Sequence, residues 1–189
     1  APVDPVGLAE AELQNILGTM VASAKTLNKT SEAIKLAFPA EARSLVADVP
    51  FSSARKWSAV AFDDRVYALG APEMLKPYLG EAGADNSAFW QSLQQQGQQL
   101  TDRGLRVLLV AQHPDCRQLI EDGDDSRLPE DMQPIGLISL SDELRPEAKE
   151  TLQRFISAGV QPKIISGDNP ETVAALARQA GLPADIALV

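Results

Sequence analysis

Apolar positions fall into two regimes along the chain. In residues 8–25, Leu8, Leu13, Ile16, Leu17 and Met20 recur at helical spacing and predict an amphipathic helix. Thr30-Ser31-Glu32 opens a second helix, SEAIKLAF, which Pro39 stops. From 44 to 70 the period shortens. SLVADVPF, KWSAVAF and RVYALG are short, rich in Val, Phe and Tyr, and partly alternating. They predict antiparallel strands, the last two joined as a hairpin through Asp63-Asp64.

Pro72 begins a short helix, APEMLKPYL, and a polar helix is expected from about 85 to 102. Its segment QSLQQQGQQ holds six Gln in nine residues. That run reads as a solvated helix face rather than an interaction tract, because Phe89, Trp90, Leu93 and Leu100 remain available to a core. LRVLLVAQ (105–112) predicts a buried strand. Residues 114–133 hold seven acidic side chains and no apolar period, which predicts a long exposed loop or hairpin tip.

A strand–helix–strand–helix–strand pattern follows: IGLISL, a helix from Arg145 to Ala158, a buried strand PKIIS, a helix from Pro170 to Ala180 ended by Gly181, and ADIALV. Such alternation implies parallel pairing with right-handed crossovers. The expected fold is an α+β domain, an antiparallel sheet flanked by helices, over 1–140. A partial α/β, Rossmann-like segment follows over 141–189.

Composition narrows the function. With 44% hydrophobic and 23% charged residues among 189, the chain is globular and long enough to bury a core without staples. The net charge of −9 argues against a nucleic-acid partner, which needs clustered cations, but leaves room for a small anionic ligand. Cys116 and His113 are single, so neither a disulfide within the chain nor a Cys/His zinc site is written here, and His113 reads as a loop residue. No apolar stretch approaches the ~18 residues of a membrane span. The opening APVDP carries no initiator Met and reads as a piece of something longer.

Four short segments carry candidate chemistry. Ser166-Gly167-Asp168-Asn169-Pro170 stands between an apolar strand and a helix, where free amides, a glycine and a hydroxyl suit a phosphate. It is also ordinary capping chemistry. Asp142-Glu143-Leu144-Arg145-Pro146 is likewise a helix start, with three charged side chains. Phe51-Ser52-Ser53-Ala54-Arg55-Lys56 sets a stacking face beside two cations. Tyr67-Ala68-Leu69-Gly70-Ala71-Pro72-Glu73 is a strand turning into a helix.

In order and spacing, PFSSARKWSAV, YALGAPE, RGLRVLLVA, GLISLSDELRPEAKETLQRFISAGV and IISGDNPETVAALARQAGL together resemble the cytoplasmic part of P-type cation-transporting ATPases. The likeness covers nearly the whole chain and is strongest over 135–182. It implies a nucleotide-binding domain followed by part of the phosphorylation domain, whose fold is of the haloacid dehalogenase type. On this resemblance Phe51 stacks on adenine, Lys56 and Gly70 belong to the same pocket, Glu32 faces the adenine amino group, and Arg106 approaches the phosphates. Asp142 and Arg145 match the domain-junction pair. Ser166, Gly167 and Asp168 match the motif, usually Thr-Gly-Asp, that closes over the transferred phosphoryl group.

Leu69 stands where many relatives carry Lys, which removes a phosphate contact. The sequence contains neither the Asp-Lys-Thr-Gly-Thr motif of the phosphorylated aspartate nor the Gly-Asp-Gly-x-Asn-Asp segment that helps hold magnesium. The expected protein is an ATP-binding cytoplasmic fragment of a membrane cation pump, inactive alone. Its parent would use ATP and magnesium, and its partners would be ATP or ADP and the parent's remaining phosphorylation, actuator and transmembrane domains. Two alternatives stay open: a soluble dehalogenase-group phosphatase with a large cap domain, and a free-standing nucleotide-sensing module.

Overall fold

The computed structural model describes residues 2–101, 103–141, 147–165 and 170–182. Strands β1 (Val3–Pro5), β2 (Ala47–Val49), β3 (Trp57–Ala61), β4 (Val66–Gly70), β5 (Leu105–His113) and β6 (Gln133–Ser141) form one sheet in the order β1-β6-β5-β4-β3-β2. The β1–β6, β2–β3, β3–β4 and β4–β5 ladders are antiparallel. The helices are α1 (Glu10–Ser23), α2 (Lys29–Ala37), α3 (Pro72–Leu75), α4 (Ala88–Thr101), α5 (Ala148–Ser157) and α6 (Pro170–Gln179). By contacts the chain divides into two units, 1–94 with 107–140, and 95–106 with 141–189.

In the first unit both sheet faces are covered. On one, Val60, Tyr67, Leu69, Val110 and Ile138 pack with Leu13, Leu17 and Met20 of α1 and Ile34 of α2. On the other, Val49, Ala59, Ala61, Val66, Ala68 and Ala111 pack with Leu75 of α3 and Trp90 and Leu93 of α4. Alternate residues of β3 and β4 therefore serve different cores, which is why all of β4 is buried although its side chains point both ways.

Most expected elements form. The α2 cap is Asn28, whose Oδ1 accepts from Ser31 N at 2.9 Å, two residues before the Thr30 start expected. The Gln-rich run of α4 is solvated around buried Leu93.

Three expectations change. IGLISL was to open a parallel array. It instead lies in the six-stranded sheet between β5 and β1, with Val3 opposite Ile138. The segment that pairs with it, β1, ends in Pro5 just after Pro2 and reads from sequence as no element. The acidic segment 114–133 is not wholly exposed: Leu119, Leu128 and Met132 enter the core, and an isolated Ile120–Arg127 bridge closes it as a hairpin. Three anchors spaced nine and four residues apart form no period. PKIIS forms no buried strand among the described residues, since Ile164 makes only a bridge and Ile165 is 85% exposed.

In the second unit, α6 buries Ala177, with Ala180 and Leu182 just beyond it. It ends at Gly181, whose φ of +81° suits glycine at a helix C-terminus. No helix among the described residues is long and apolar enough to cross a membrane.

Gly18 is fixed by close approach: a Cβ there would stand 2.2 Å from Phe38 O and 2.9 Å from Ala40 Cβ. The chain leaving α2 crosses α1 at this point, and the obstacle is backbone. Gly18→Ala should destabilise the first unit by about 1–3 kcal/mol despite its better helix propensity. Urea unfolding followed at the tryptophans checks this, and a gain in stability would contradict the contact.

Tyr67 supplies a pH dependence. Burial, the largest influence, pushes its phenol above the ordinary value of 10.0, against the opposing pull of Arg65. A raised folded value means the neutral form is favoured in the native state. The contribution to stability is therefore full below about pH 10 and lost as pH rises through the folded value. Alkaline unfolding should be shallower in Tyr67→Phe, measured by denaturant titration between pH 8 and 11.

Candidate functional site

Residues 50–56 connect β2 to β3 and carry the aromatic-plus-cation motif. The loop is built around Ser52. Its carbonyl accepts from Lys56 N at 2.7 Å, and its Oγ accepts from Ala54 N at 3.2 Å. Lys56 closes the loop at φ +54°, in the left-handed region. Its carbonyl then accepts from Ala71 N at 3.0 Å, one residue past β4.

Gly70 is what permits this closure. It lies opposite Trp57 in the β3–β4 ladder, and a Cβ on it would stand 2.4 Å from Trp57 Cβ and 2.8 Å from Lys56 O. Gly70 and Lys56, both named from sequence, are thus brought together, with Gly70 acting through the backbone.

Arg55 holds the loop from outside. Its Nη1 donates to Gly123 O at 2.7 Å and its Nη2 to Pro50 O at 3.0 Å, while the guanidinium lies 5.1 Å from the Trp57 ring centroid. It ties the acidic hairpin to the foot of the Phe51 loop. Sequence reasoning noted Arg55 only as a cation. The signal for its role, a long-range contact to residue 123, is not written locally.

Phe51 is 49% exposed and forms one wall of a cavity of about 250 Å³. Leu69 of β4, Ser58 of β3, Asp48 of β2, Ser31 of α2 and the end of α1 complete it. Register explains the grouping: Asp48 faces Val60 across β2–β3 and Ser58 faces Leu69 across β3–β4, on the side covered by α1 and α2. Pockets that enclose a drug-sized ligand measure about 300–1,000 Å³, so this cavity falls just short of that range and has room for one ring system with its substituents outside.

The other expected site residues are placed as follows. Glu32 is exposed on α2 and is not part of the cavity wall, although its neighbour Ser31 is. Lys56 is half-buried at the loop's end, outside the wall. Arg106 is half-buried near the start of β5 and belongs to the second unit. Asp142, Arg145, Ser166, Gly167 and Asp168 lie outside the described residues. His113 ends β5 rather than sitting in a loop, and its Nδ1 accepts from Asp115 N at 3.1 Å. The Asp115 carboxyl is held below its usual range, chiefly by accepting from Arg117 N. Among the described residues, no group of three or more His, Cys, Asp or Glu is arranged to hold a metal ion.

Comparison with known proteins adds the lineage. The family of haloacid dehalogenase-like hydrolases matches residues 18–188, running through both units. A probable cation-transporting ATPase, exp7, of Streptococcus pneumoniae is 34% identical over 174 residues, 91% of this chain and 20% of that protein. The calcium-transporting ATPase CtpE of Mycobacterium bovis is 32% identical over 182 residues, covering 95% and 21%. A calcium-transporting ATPase of the yeast Yarrowia lipolytica is 28% identical over 156 residues, covering 76% and 16%. The chain thus spans about a fifth of the length of the first two of these relatives.

Arg55→Ala should free the loop. Loss of two charge-assisted bonds from a side chain only 12% exposed should cost about 1–3 kcal/mol. Hydrogen exchange over 50–56 should accelerate while the β4–β5 ladder keeps its protection. Unchanged exchange at the loop would show that Arg55 does not position Phe51.

Proposed function

We propose that this chain, which belongs to the haloacid dehalogenase-like hydrolase family, is the nucleotide-binding domain and part of the phosphorylation domain of a cation-transporting P-type ATPase. One observation carries the reading. Phe51 and Leu69 come from separate motifs of the resemblance, yet they line one cavity sized for a base.

In this reading the adenine of ATP enters beside Phe51 and stacks on its ring, which contributes on the order of 1–3 kcal/mol. Lys56, at the end of the same loop, meets the phosphates as they leave the cavity. Leu69 takes no part in phosphate binding and offers the base an apolar wall instead. The overall charge of −9 leaves room for a small anionic ligand, and Lys56 brings a cation to the loop beside the cavity.

In the parent, the γ-phosphoryl group would pass to an aspartate carboxylate of the phosphorylation domain and ADP would leave. Such transfer depends on positioning and electrostatics rather than on covalent help from the nucleotide domain. Ser166, Gly167 and Asp168 would close over that group, and Asp142 with Arg145 would serve the domain junction. The described residues offer no ligand set for the magnesium expected of the parent, so no step here runs through it. The chain would be a cytoplasmic portion of a membrane protein that binds nucleotide without turning it over. Exposed Phe155 and Ile156 on α5 suit a helix that other parts of a parent cover.

Titration with ADP and ATP, followed by amide NMR shifts, tests this. Both should bind with a Kd of about 0.1–10 mM, since 1 mM corresponds to ~4.1 kcal/mol and stacking supplies much of that. ADP should bind almost as well as ATP, shifts should cluster over 51–58 and 67–71, and Phe51→Ala should lose more affinity than Lys56→Ala. With γ-labelled ATP and magnesium, no label should stay on the protein after acid quench. Shifts confined to 166–171 with Phe51→Ala silent, or a stoichiometric label, would refute the reading.

A further inference from the structure

The acidic hairpin closes beyond the Ile120–Arg127 bridge through a tip, residues 121–126. Residues 121–125 are exposed, and Ser126 alone of the tip is buried, at 6%. A buried hydroxyl has to be paired, and this one is paired on both sides. Its Oγ accepts from Asp122 N at 3.0 Å and donates to Gly123 O at 2.7 Å. Ser126 thereby fixes where the Gly123 carbonyl stands, in a residue whose φ of +50° lies in the left-handed region that glycine tolerates.

Arg55 uses that same carbonyl. Its Nη1 donates to Gly123 O at 2.7 Å and its Nη2 to Pro50 O at 3.0 Å. The guanidinium is a planar fork with fixed angles between its N–H groups, and it lies against the Trp57 ring. A shift of Gly123 O must break one bond or carry the fork, and Pro50 with it. Pro50 immediately precedes Phe51, whose ring is half exposed and so takes its place over the cavity largely from its backbone. A second tether starts from the same tip: Glu121 Oε2 accepts from Asp48 N at 3.4 Å, two residues before Pro50.

We propose that Ser126, which is not part of the cavity wall, is a positioning residue for the ligand that stacks on Phe51, acting through Gly123 O and Arg55 so that the hairpin tip and the cavity order together. This rests on the nucleotide reading above and adds to it a contribution from outside the cavity. Coupling of this kind is reciprocal: whatever an ordered tip adds to binding, binding adds to the order of the tip. A cavity whose competent arrangement is populated only part of the time binds in proportion to that fraction.

The test measures the Kd of ADP by amide NMR in the wild-type chain, Ser126→Ala, Arg55→Ala and the double variant, with hydrogen exchange at the tip in the presence and absence of ADP. Ser126→Ala should raise the Kd about fivefold, the low end of ordinary coupling between sites, while the shifts stay centred on 51–58. In the Arg55→Ala background the same substitution should change the Kd little, because the link is already cut. In the unaltered chain ADP should slow exchange of the Ile120 and Arg127 amides, which donate to each other's carbonyls at 3.0 Å. That measurement stands whatever the stability of the variants. The inference is overturned, with the nucleotide reading intact, if ADP binds but Ser126→Ala leaves its Kd unchanged. It is equally overturned if Ser126→Ala weakens binding as much without Arg55 as with it, or if ADP leaves exchange of Ile120 and Arg127 unaltered. Failure of ADP to bind the wild-type chain overturns both.

Discussion

The β3–β4 hairpin is buried on both faces, and much of the first unit follows from that requirement. A strand covered on one side can alternate apolar with polar, but one covered on both must be apolar throughout and needs two helical layers. Here α1 and α2 supply one layer and α3 with the start of α4 the other. Alanines on the α3–α4 side, at 59, 61, 68 and 111, leave room for bulky partners such as Trp57 and Trp90. Gly70 opposite Trp57 extends the same economy to the end of the ladder, where backbone meets backbone.

The cavity exists because this double cover is incomplete at one place. Beyond the end of α1 the chain crosses toward α2 through the irregular residues 24–28, and β2 is an edge strand only three residues long. Edge strands expose unpaired backbone groups that proteins usually blunt. Here the blunting is done by Glu121 reaching Asp48 N and by Arg55 linking Pro50 O to Gly123 O. Both contacts come through the acidic hairpin, so its charge is not merely solvated decoration. Part of it steadies the strand that carries Asp48 and the loop that carries Phe51.

Relatives named as cation- and calcium-transporting ATPases match nearly all of this chain while the chain matches about a fifth of them. That proportion gives the first unit its meaning. In the reading proposed above, the first unit holds a base firmly enough to present its phosphates and weakly enough to let it go.

Sequence alone determined whatever depends on near neighbours. Helical spacing marked α1, start and stop residues marked α2, and a polar run with a few core-facing residues marked α4. The Asp63-Asp64 turn between two β-rich runs gave the hairpin, and the Phe-to-Lys motif marked the loop beside the cavity. Those signals are local because period and turn chemistry act over a few residues. The assignment of β6, the anchoring of the acidic hairpin and the choice of Asp48 over Glu32 for the cavity wall were decided only by the tertiary structure. Each depends on a contact made across long stretches of chain: Val3 with Ile138, Arg55 with Gly123, Asp48 with Lys25. A proline-flanked trio reads as no strand until a partner edge pairs with it. An acid within a short predicted strand carries no sign of which face it takes until register turns it inward.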